Sequence, residues 1–209
     1  MEMKSGPGFA GPVMDTSYLQ RVRVNPVLRA WVGAPGGTGT QPLTTEGTTM
    51  AELTPLDEKL GEVLGLARAA QDGATKVAGM EGADEFRDRL ERMKQEAVET
   101  ERRTDELVDS LEGRKTAIRE KAAETKSEAT EMMQTYLGGE EEALDGFEFL
   151  TMAEAGELGH WEIVQRMSRT VGDDRAAELA DWAVEVQRRH FETVRESSLQ
   201  LAESEARDG

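Results

Sequence analysis

The chain contains two histidines, His160 and His190, and both lie in its final quarter beside acids at helical spacing. The first sits in Glu157-Leu158-Gly159-His160-Trp161-Glu162-Ile163. The second closes Glu185-Val186-Gln187-Arg188-Arg189-His190. A Glu three residues before a His puts both side chains on one helix face. Carboxylates and imidazoles aimed into a four-helix bundle are a way to hold two metal ions, one Glu-x-x-His coming from each of two helices. Hard oxygen ligands with some imidazole suit iron or manganese. Glu157 and His160 form one such pair. The second is incomplete, because Gln187 stands three before His190 and neutral Gln is a poorer ligand than Glu, unless Glu185 reaches across.

These residues must be positioned by helices. The stripe Leu150, Glu154, Glu157, Trp161, Val164, Met167/Ser168 and Val171 places two glutamates where apolar residues are expected. An uncompensated buried carboxylate is costly, so a metal, an arginine or water must answer Glu154 and Glu157. In the following helix Leu179, Ala183, Val186, His190, Thr193/Val194, Ser197 and Leu201 form the stripe. Gly172 closes the first of these helices, and Asp173 or Asp174 caps the next. The short connection makes an antiparallel hairpin in which residues i and about 345 − i stand level, good to about one turn. His160 then meets Glu185, and His190 meets Ala155 and so Glu154. Trp161 and Trp182 read as packing residues.

The earlier part of the chain must supply the facing helices. Thr54-Pro55 reads as an N-cap with proline in the first turn of a helix that reaches about Val77. Leu56, Leu60, Val63, Leu64, Ala67 and Ala70 recur along it, and Gly61, Gly65 and Gly73 allow a neighbour to approach closely. Glu58 and Glu62 are its candidate acids. Asp84 caps a second helix with the stripe Phe86, Leu90, Met93, Ala97, Thr104, Leu107 and Leu111. Glu101 lies beside that stripe and is its candidate ligand, with Glu99 next. Residues 114–137 are mostly charged and read as a partly exposed helical connector, ended by Gly138-Gly139. The candidate metal ligands are therefore Glu101, Glu154, Glu157, His160, Glu185 and His190.

Residues 1–49 differ in kind, holding five of the six prolines and eight glycines without a sustained period. Composition predicts a disordered tail, ahead of a helical bundle over 50–209. Glu46-Gly47 can be encoded GAA-GGA, like a bacterial ribosome-binding sequence ahead of Met50. A native start at Met50 is one reading and a docking tail the other.

Bulk properties narrow the classes. Hydrophobic residues make up 37% and aromatics 5%, which suits a bundle packed with Leu, Val, Ala and Met. There is no cysteine, so thiolate metal sites and disulfides are excluded. A net charge of −17 disfavours nucleic acid and anionic lipid as partners and attracts cations. No apolar run reaches the roughly eighteen residues of a membrane span. No Gly-rich phosphate loop or Ser-His-Asp order is present. A cytoplasmic location is the simplest expectation.

Three stretches together resemble the ferritin-like superfamily, in particular its bacterial stress-associated YciE/YciF-type proteins. They are Leu90-Glu91 through Glu99-Thr100-Glu101 to Leu107; Ala153-Glu154 to His160-Trp161-Glu162-Ile163; and Gly172 to Leu179 with Glu185 onward. The resemblance covers residues 84–204 and implies an all-α, antiparallel, ferritin-like four-helix bundle with an extra connector helix. It implies iron or manganese binding and, if the chain is an enzyme, ferroxidase or peroxide-handling chemistry. It further implies a homo-oligomer, a dimer being the simplest. The chain departs from the pattern where Glu101 takes a helix-two His position, Val98 takes a Glu position, and Gly159 precedes His160. A metal-free helical interaction or stress-protection protein is the alternative.

Overall fold

The structure is a computed structural model, and it describes residues 52–140 and 142–208. These belong to the compact unit Gly47–Gly209. The reading of residues 1–49 as a tail lies outside the described residues. Five α-helices carry the fold: α1 (Pro55–Val77), α2 (Arg87–Asp109), α3 (Lys115–Leu137), α4 (Ala143–Val171) and α5 (Asp174–Asp208). A 3₁₀ turn, Asp84–Phe86, precedes α2.

Local chemistry sets the helix ends. Thr54 and Asp57 form a capping box at the start of α1, with Pro55 in the first turn. Gly172 closes α4 at φ 76°, in the left-handed region where a side chain would be strained. The Asp173 carboxylate then accepts from the Ala176 N–H at 3.0 Å and caps α5. Asp84 does not cap α2 as its sequence suggests. It opens the 3₁₀ turn, and its carboxylate pairs with Arg87. The chain is steered there by Phe86, which is fully buried with its ring edge-on to Phe147 at 5.0 Å.

Helices α1, α2, α5 and α4 pack in a ring, and α3 lies outside it, chiefly against α1. The expected connector is thus a helix of its own, seated through Ile118, Ala122 and Thr125. Two glycines of α1 admit it. A Cβ at Gly65 would stand 2.5 Å from the Ala122 carbonyl oxygen, and one at Gly61 would stand 2.8 Å from the Lys121 Cβ. Arg119 clamps Asp105 and Asp109, and Lys126 reaches Asp72.

The interior holds two apolar clusters. One contains Leu60, Val63, Leu64, Leu107, Val108, Trp161, Val164, Ala180 and Val184. The other contains Val77, Phe86, Leu90, Met93, Phe147, Leu150 and Val194. On α2, α4 and α5 the residues between them in sequence include buried polar ones: Thr100 and Thr104, Glu154 and Glu157, and Gln187. His190 also falls there, whereas α1 contributes Ala67 and Ala74. The interior is therefore mainly apolar towards both ends of these helices, with its buried acids and His190 in between.

Candidate functional site

The polar layer is built on the α4–α5 hairpin. The Gln187 side-chain amide donates to Glu157 Oε1 at 2.8 Å. His190 Nδ1 stands 3.5 Å from Glu154 Oε2. Each pairing lies one residue from the level expected of an antiparallel hairpin. Helix α2 supplies Glu96, whose Oε2 is 2.8 Å from His190 Nε2. Arg189 donates to the other Glu96 oxygen at 2.9 Å. A line of side chains thus runs from Arg189 on the surface through Glu96 and His190 to Glu154 inside.

Burial makes this line unusual. The His190 and Glu154 side chains are 2% and 4% exposed, while Glu96 is 40% exposed. Among the described residues, His190 Nδ1, Glu154 Oε2 and Gln187 Oε1 make no well-formed hydrogen bond. A buried polar atom left unpaired costs about 1–3 kcal/mol, more if charged. Thr100 and Thr104 satisfy their hydroxyls on carbonyls one turn back and add nothing to the deficit.

The environment shifts the titrating groups. Burial pushes the Glu157 carboxyl well above the usual range, and the nearby Glu154 carboxylate raises it further. The Trp161 indole N–H pulls the other way without reaching hydrogen-bond geometry. Burial works against the His190 imidazolium, but Glu154 and Glu96 on either side outweigh it and raise its pKa.

The candidate ligands named from sequence divide into two groups. Glu154, Glu157 and His190 share the layer. His160 lies on the α1–α4 seam, where its Nδ1 is 3.0 Å from Glu62 Oε2. Burial resists ionisation of Glu62, yet hydrogen bonds from His160 and Lys59 hold it at about 2. Glu101 faces α1, accepting from Arg68 at 2.8 Å and Gln71 at 2.7 Å. Glu185 is on the surface, paired with Arg188. Glu96 is the member that sequence reasoning missed. It lies one turn from both Met93 and Thr100, which are buried, and that flanking position is the signal that could have marked it.

Among the described residues, no three acidic or histidine side chains converge on a point where a metal ion would sit. Glu96 and Glu154 flank opposite edges of the His190 ring, and Gln187 holds Glu157 aside. No family model, curated protein or solved structure matches the chain.

Proposed function

We propose that this chain is a helical-bundle protein that binds one divalent transition-metal ion, iron or manganese, in its buried polar layer. One observation carries the reading. Glu154 Oε2 and His190 Nδ1 face each other at 3.5 Å inside the bundle, and among the described residues neither atom makes a well-formed hydrogen bond. Cis ligand atoms on one six-coordinate ion, each about 2.2 Å from it, stand about 3.1 Å apart, so the two atoms need close by only a few tenths of an ångström to share one. One carboxylate oxygen and one imidazole nitrogen suit these metals. The resemblance of residues 84–204 to ferritin-like proteins points the same way.

The donor set fits one ion rather than a pair. Helix α1 brings alanines to this layer, and Gln187 stands where a second Glu-x-x-His needs its acid. Glu154 and His190 would hold the ion, with water or a released Glu157 completing the shell. A bound iron or manganese would supply one-electron chemistry. The chain's part is to exclude solvent with the two apolar clusters, to fix the ring of His190 through Glu96, and to hold the Glu157 carboxyl on the Gln187 amide.

A metal-free interaction or stress-protection protein is the second reading. The Glu157–Gln187 and Glu96–His190 bonds favour it, since they already satisfy half of the layer. Metal analysis separates the two. Protein purified without chelator or tag, then reconstituted with Mn²⁺ or Fe²⁺, should retain about one ion per chain, and Glu154→Gln should retain almost none. Wild-type protein that stays metal-free after reconstitution would favour the second reading.

A further inference from the structure

The two nitrogens of a histidine ring are distinct, and the hydrogen bond made by one decides the role of the other. His190 Nε2 is 2.8 Å from Glu96 Oε2, and the second Glu96 oxygen accepts from Arg189. A carboxylate oriented by a guanidinium is an acceptor, so Nε2 carries the proton that forms this bond. In the neutral ring, Nδ1 then presents a lone pair toward Glu154 Oε2, another acceptor. Two facing acceptors in a site this dry repel unless a positive charge, either a second ring proton on Nδ1 or a bound cation, lies between them. Glu96 cannot itself reach that space, because the imidazole ring stands in the way.

We infer that Glu96 is the positioning residue of the site, fixing His190 with its proton on Nε2 and Nδ1 directed at Glu154, while Arg189 orients Glu96 from the surface. The inference rests on the metal reading for its purpose but not for its geometry. It extends the site from the α4–α5 hairpin to α2, along a seam that packs less closely than that between α4 and α5. Carboxylates that accept from the far nitrogen of a ligating histidine raise its basicity and hold its plane, and their loss costs about ten- to a hundredfold in metal affinity.

The test combines nitrogen-15 NMR of the histidines in metal-free protein, at a pH where His190 is neutral, with Co²⁺ titration of the full chain. Wild type should show the Nε2-protonated form. Glu96→Leu should move the proton to Nδ1, or share it, and weaken Co²⁺ binding by about ten- to a hundredfold. Glu96→Gln keeps an acceptor and should preserve both properties. Glu101→Gln, a change on the α1 side of the same helix, should alter neither. An unchanged His190 tautomer in Glu96→Leu overturns the inference, whatever Co²⁺ does. A tautomer that responds in a protein taking up no Co²⁺ supports the positioning role and removes the metal reading alone.

Discussion

At the scale of single residues, the two histidines have separate work. His160 is half of a pair with Glu62 on the α1–α4 seam, with Lys59 alongside. His190 is enclosed and has a carboxylate beside each ring nitrogen. The pair on the seam has a pH signature. The Glu62 pKa falls from the ordinary 4.5 to about 2 on folding. Its stabilising effect is therefore present above pH 4.5 and is lost as pH falls toward 2. Urea unfolding should show Glu62→Gln about 1 kcal/mol less stable than wild type at pH 6 and nearly equal at pH 2.5. A gap that persists at the lower pH would assign the loss to packing. The inward acids Glu154 and Glu157 were legible from sequence, because they interrupt an apolar stripe. The pairing of His160 with Glu62 was not, because one helix's periodicity says nothing of its level against α1.

At the scale of elements, helix ends and hairpin register followed from local chemistry: the Thr54-Pro55 start, the Gly172 stop and the short turn before α5. What local chemistry left open was which side of α2 faces α5. Glu96 and Glu101 both flank the buried positions Ala97 and Thr100, and only the packing of α5 makes Glu96 the one that meets His190. The seat of α3 was legible in part, since Gly61 and Gly65 announced a close neighbour without naming it. Its tightness is testable. Gly65→Ala forces a Cβ against the Ala122 carbonyl oxygen and should cost about 1–3 kcal/mol. Gly159 is helical and, among the described residues, has nothing within 4 Å of an added Cβ, so Gly159→Ala should gain about 0.5–1 kcal/mol. Thermal unfolding of both variants checks the pair. Destabilisation by Gly159→Ala, or none by Gly65→Ala, would contradict this packing.

At the scale of the molecule, the described residues form an all-helical bundle whose two apolar clusters are separated by a layer of buried polar side chains. No helix among them is long and apolar enough to cross a membrane. Replacing such a layer with leucine-like packing is often neutral or stabilising for a fold, so its presence asks for a reason other than stability. The account gives that reason as a bound ion between Glu154 and His190, in a chain of net charge −17 that draws cations to its surface. Calorimetric titration of Mn²⁺ into wild type, His190→Ala and His160→Ala tests this most directly. The account predicts one Mn²⁺ per wild-type chain, none in His190→Ala, and wild-type binding in His160→Ala. No Mn²⁺ bound by wild type, or equal losses in the two histidine variants, would contradict it.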